Sequence, residues 1–129
     1  MPYNFTAVIV DDEPIAIKLL QAILNKLYTN IDVVNTFSNG REALKCLQQK
    51  DCDLLFLDIV LPGITGFSLL HSLPETDAEV IFVTAYPEYA LNAFQFTPTG
   101  YILKPIDEKD LMKTVDKAIE RIVQRKHHC

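Results

Sequence analysis

Five polar residues interrupt otherwise apolar stretches of this chain: Asp11 and Asp12, Asp58, Thr84 and Lys104. Carboxylates gathered in one crevice repel one another and raise each other's pKa unless a cation lies among them. Oxygen donors alone suit Mg2+ better than zinc, which prefers His or Cys. A magnesium site made by Asp11, Asp12 and Asp58 is therefore expected. With the charge neutralised, a carboxylate serves as a nucleophile toward phosphorus. Asp58 is best placed for this, because the short loop carrying Pro62, Gly63 and Gly66 leaves it accessible to a bulky donor. Phosphoryl transfer needs charge stabilisation on the equatorial oxygens more than acid or base catalysis. Lys104 supplies positive charge for that purpose and Thr84 a hydroxyl donor.

The elements that must position these groups follow from hydrophobic periodicity. Phe5 to Val10 is an apolar, β-branched run that stops at Asp11-Asp12-Glu13, and Pro14 stands where a helix begins, with a stripe through Ala16, Leu20, Ile23, Leu24 and Leu27. The alternation repeats. Ile31 to Phe37 and Asp53 to Leu57 read as strands, followed by helices from Ser38-Asn39-Gly40 to Lys50 and from Phe67 to Leu73. Val80 to Val83 is a fourth strand, and Pro87 to Phe94 a modest helix. Tyr101 to Leu103 is a fifth strand, and Asp107 caps a last helix with Leu111, Val115, Ala118, Ile119 and Ile122 on one face.

Strands alternating with helices at this spacing predict a parallel sheet with right-handed crossovers and helices on both faces. The fold class is α/β, a doubly wound sheet of five βα units. The flavodoxin-like strand order 2-1-3-4-5 suits it, since no second half is present. In such sheets ligands bind outside the carboxyl ends of the strands, which is where the five polar residues fall.

Bulk properties exclude several functions. The 129 residues suit one domain, with 49% hydrophobic and 22% charged residues, the balance of a globular protein. A net charge of -5 argues against this domain gripping nucleic acid. Cys46, Cys52 and Cys129 have no metal-ligand spacing and read as free thiols. There is no apolar run of membrane-spanning length and no secretion signal at the start, so a cytoplasmic location is expected.

Four segments carry a resemblance: Val8-Ile9-Val10-Asp11-Asp12-Glu13-Pro14, Leu57-Asp58-Ile59-Val60-Leu61-Pro62-Gly63, Val83-Thr84-Ala85 and Tyr101-Ile102-Leu103-Lys104-Pro105. In order and spacing they resemble the signatures of response-regulator receiver domains of bacterial two-component systems. The resemblance spans residues 5 to about 125, so residues 1–125 are expected to be the receiver and 126–129 a tail or the start of a linker. It implies that Asp58 is the phosphoacceptor. It implies further that Asp11, Asp12, Asp58 and the backbone carbonyl of Val60 hold Mg2+, and that Thr84 and Lys104 bind the phosphoryl oxygens. A Thr84–Tyr101 switch and a cis Lys104–Pro105 bond are implied as well. A phosphatase of the haloacid dehalogenase kind needs a second acid two residues after its nucleophile, where this chain has Val60. A degenerate receiver would have lost one of the signature residues, and a flavodoxin would carry a Ser/Thr/Gly-rich loop after the first strand.

More narrowly, residues 84–94 are similar to receivers that precede LytTR-type DNA-binding domains, in which an acid commonly stands where this chain has Gly100. The implied partners are a sensor histidine kinase, docking near Ile15 to Leu19, and a second copy through the fourth helix, fifth strand and fifth helix. DNA would be met only through a C-terminal domain outside this chain, with truncation of a transcription regulator the favoured reading.

Overall fold

The structure is a computed structural model and describes residues 3–127. Its strands are β1 (Phe5–Val10), β2 (Ile31–Phe37), β3 (Leu54–Leu57), β4 (Glu79–Thr84) and β5 (Gly100–Leu103). They form one sheet in the order β2-β1-β3-β4-β5, parallel throughout, as expected. The helices are α1 (Pro14–Leu27), α2 (Gly40–Gln49), α3 (Gly66–Ser72), α4 (Ala90–Ala93) and α5 (Glu108–His127).

Strand alternation divides the core into two layers. Ala7, Ile9, Leu54, Phe56, Ile81 and Val83 face α1 and α5, where Leu24, Leu111 and Val115 meet them. Val8, Val10, Leu55, Leu57 and Phe82 face the other way, against Ala43, Leu69 and Ala93. All four residues of β3 are buried, which is why its sequence Leu-Leu-Phe-Leu does not alternate. Each such side chain contributes roughly 1.5–3 kcal/mol of transfer free energy. Local chemistry agrees with the layers. Pro14 opens α1, Asn39 Oδ1 accepts from Arg41 N (2.8 Å) at the start of α2, and the acids of α5 lie in its first turn with Arg125, Lys126 and His127 in its last.

β2 is an edge strand with a bulge: Ala7 pairs with Val33 but Val8 with Asn35, leaving Val34 unpaired.

The expected helix over 87–94 is broken up. A 3-10 turn (Pro87–Tyr89), one α turn (α4) and a second 3-10 turn (Phe94–Phe96) replace it. None of the three has a side-chain cap, and Thr97 ends the run in the left-handed region at φ 45°. Pro98 disfavours the right-handed helical region for Thr97, so the segment cannot continue. α5 differs in the opposite sense. Lys126 and His127, expected in the tail, are helical, and Tyr3 Oη lies 3.2 Å from His127 Nε2.

Gly100 has a packing reason. α5 crosses β5 there so closely that a Cβ would collide with Thr114 Cγ2, so an acid is accommodated only if the Thr114 side chain or the helix gives way.

At the far end of the sheet Glu79 ties α5 to β4. It is buried, yet Arg121 Nε and Arg125 donate to its two carboxylate oxygens at 2.7 and 2.5 Å. Burial alone would raise its pKa, but hydrogen bonds from Thr99 and Arg125 and the charges of both arginines hold it below the ordinary 4.5. A lowered folded pKa means the stabilisation is complete above the unfolded value and is lost as pH falls through the folded one. Glu79→Gln is expected to cost roughly 1–3 kcal/mol at pH 7. Thermal melts from pH 7 to pH 3 should show the gap to wild type closing in acid.

Candidate functional site

Strand register brings the polar residues together. Val10, Leu57 and Phe82 are level across β1, β3 and β4, so the chain leaves all three strands at one edge. The pairing continues one step beyond the strands: Asp58 N donates to Val10 O and Lys104 N to Thr84 O, both at 2.9 Å. Asp11, Asp58, Thr84 and Lys104 thus share the carboxyl edge of the sheet, with Asp12 and Glu13 at the mouth of α1. The Lys104–Pro105 bond is cis.

The centre of the site is an ammonium held by three acids. Lys104 Nζ lies 2.7 Å from Asp11 Oδ2, 3.1 Å from Glu13 Oε1 and 3.2 Å from Asp58 Oδ2. Burial would lower the lysine's pKa; hydrogen bonds to Asp11 and Glu13 and the charges of Asp58 and Asp11 overcome that and hold it above its ordinary value. Asp11 is buried and has its pKa raised, chiefly by desolvation. The Asp58 charge adds to that rise, and Lys104 and the Glu13 N–H (3.0 Å) oppose it.

Asp58 is 5% exposed. Its Oδ1 accepts from Ile59 N at 2.7 Å, and its Oδ2 faces Lys104. The group facing that second oxygen is the end of a long side chain with several rotatable bonds. On the other side, Gly66 N donates to Ile59 O at 2.8 Å, and a Cβ on Gly66 would strike the Asp58 carbonyl oxygen. Glycine therefore lets the loop fold tightly under the aspartate, but the access expected of that loop is not seen, because Asp58 is buried.

Thr84 is fully buried, its Oγ1 accepting from Tyr86 N at 3.4 Å. Tyr101 Oη donates to the Tyr86 carbonyl, and its ring packs on Phe82 at 6.0 Å between centroids. Val60 is exposed beside the site.

Two of the acids expected to hold a divalent cation, Asp11 and Asp12, are brought together with Glu13, whereas Asp58 is not in that group. Asp11, Asp12 and Glu13 each bring a carboxylate oxygen within 4.8 Å of the others, without His or Cys among them. Glu13 is the residue that sequence reading missed. Its position before a proline-initiated helix reads as an N-cap, but its side chain makes no cap hydrogen bond and turns to Lys104 instead. Only the spacing of the acids to a lysine far along the chain could have signalled this, and such pairing needs the fold.

The model of the response regulator receiver domain matches residues 7–116. The chain belongs to that family. An uncharacterized response regulatory protein of Vibrio cholerae is 43% identical over 117 residues, covering 90% of this chain and 49% of that protein. The transcriptional regulatory protein BtsR of Escherichia coli is 41% identical over 108 residues, covering 83% and 45%. The chain thus spans about half the length of the curated relatives it matches. Among solved structures, the response regulatory domain of protein mrkE from Klebsiella pneumoniae superposes with a TM-score of 0.84 at 30% identity, covering 92% of this chain and 98% of that one. The response regulator TrrA of Thermotoga maritima, in complex with Mg2+ and BeF, gives 0.76 at 33%, covering 88% and 98%.

Removing the lysine's charge should expose the repulsion it offsets. Lys104→Met is expected to lower stability by about 1–3 kcal/mol at neutral pH without divalent cations. Acid should narrow the deficit, because protonating Asp11 relieves the unpaired charge. Chemical denaturation of both proteins at pH 7 and pH 5 checks this.

Proposed function

We propose that this receiver accepts a phosphoryl group on Asp58 from a sensor histidine kinase in a Mg2+-dependent reaction. The observation that carries the reading is Lys104 Nζ between Asp11 and Asp58, at 2.7 and 3.2 Å. A lysine so placed already faces the oxygen that would attack, ready to meet the charge that arrives with a phosphoryl group.

Asp58 Oδ2 forms the new bond to phosphorus while the donor's bond to phosphorus breaks, its electron pair leaving with the donor. Lys104 and the Thr84 hydroxyl bind the phosphoryl oxygens. Asp11, Asp12, Asp58 and the Val60 carbonyl hold Mg2+, which when bound neutralises the crowded carboxylates and the incoming phosphate oxygens. The complex of TrrA with Mg2+ and BeF supports the assignment by relation. The protein is on this reading a phosphoacceptor rather than a turnover enzyme.

Thr84 and Tyr101 form the switch. Thr84 moving toward a phosphoryl oxygen gives up its contact with Tyr86 N and leaves space behind it. Tyr101, tied to the Tyr86 carbonyl, then loses its anchor and turns inward. The surface altered is α4-β5-α5, where Leu91 and Phe94 are 80% and 69% exposed, and a homodimer forms through it. Ile15 and Leu19, exposed on α1, suit the kinase.

The receiver extends to about residue 125, with the residues from 126 leading to an output domain. The relatives' longer chains and the name of BtsR support transcriptional control. The resemblance of residues 84–94 favours a LytTR-type DNA-binding domain as output, acting in the cytoplasm. No helix among the described residues is long and apolar enough to cross a membrane.

Incubation with acetyl phosphate and Mg2+ followed by mass spectrometry should add one phosphoryl group to the wild type and none to Asp58→Asn. Labelling that persists in the variant overturns the assignment. Sedimentation with beryllofluoride and Mg2+ should show a dimer where the untreated protein is a monomer; identical profiles refute the dimer.

A further inference from the structure

Glu13 lies in a carboxylate cluster with Asp11 and Asp12 but is outside the Mg2+ set and the phosphoryl contacts proposed above, and it makes one of the three short contacts to the Lys104 ammonium. An ammonium carries three N–H donors, and Asp11, Glu13 and Asp58 take one each. The three acids differ in how they are held. Asp11 and Asp58 are buried and each accepts a backbone N–H, from Glu13 and Ile59 respectively. The Glu13 side chain is 65% exposed and accepts no backbone bond that would cap α1. It reaches Lys104 from an exposed position.

We infer that Glu13 is a positioning residue that restrains Lys104 and competes with an incoming phosphoryl anion for its third N–H. The inference rests on the phosphoacceptor reading above. An anion arriving at Asp58 requires Lys104 to turn a donor toward it, and the contacts to Asp11 and Asp58 are made to buried carboxylates shielded from water. The Glu13 contact is the cheapest to surrender, because water replaces the lysine on an exposed carboxylate. The contact therefore opposes anion entry, and the residue raises the threshold for activation.

The test measures beryllofluoride affinity by calorimetry at saturating Mg2+, with saturation established for each variant by titration of Mg2+ alone. Glu13→Gln is expected to bind beryllofluoride about two- to fivefold more tightly than wild type, the scale of one exposed ion pair, and to be labelled by acetyl phosphate faster by a similar factor. Glu13→Asp keeps the charge but is one methylene shorter, so it should lose the contact and behave like Glu13→Gln. If Glu13→Gln binds as wild type does, the restraint does not exist. If Glu13→Asp matches wild type while Glu13→Gln binds tighter, the contact to Lys104 is not the cause and the inference fails. A wild type that binds no beryllofluoride and takes no label on Asp58 overturns the phosphoacceptor reading itself, an outcome distinct from either of these.

Discussion

Like charges forced together at the end of a sheet are the constraint around which this molecule is arranged. Asp11 and Asp58 are both buried, and each would destabilise the fold if its neighbour were the other acid alone. Lys104 resolves the conflict with one ammonium, and it can do so because the fifth strand ends level with the fourth. The arrangement is stable without being satisfied for good. A cation or an anion entering the crevice changes which partner the lysine prefers, and a site with interchangeable partners is what a signalling domain needs.

Rigidity surrounds that adjustable centre. The two core layers press on a sheet whose middle strands are wholly buried, so the carboxyl edge is a fixed platform. The segment between β4 and β5 is of another kind. Short turns of unequal pitch, uncapped and ending in a left-handed threonine, hold it by few local bonds. Stiff support thus lies under the charged cluster, with a loosely wound segment beside it.

Most of this was legible beforehand. Apolar runs ending in Asp11, Asp58, Thr84 and Lys104 identify the strands and the edge where chemistry gathers, because buried parallel strands admit no polar residue until they end. Three things were hidden. Glu13 reads locally as the start of α1, and its true partner is far along the chain. The helix after β4 follows a helical pattern, but Pro98 acting on Thr97 cuts it short. Lys126 and His127 look like a polar tail, whereas the helix dipole and the contact with Tyr3 keep them in α5. In each case a tertiary or neighbouring-residue effect overrode the periodicity.

The unpaired Val34 on β2 bears on how copies of this domain can meet. A sheet with two free borders invites growth by strand addition, which ends in aggregates instead of defined pairs. Here one border is kinked by an extra residue and the other, β5, offers four residues only. Lateral extension of the sheet is thereby discouraged on both sides, which leaves the helical faces as the surfaces open to orderly association.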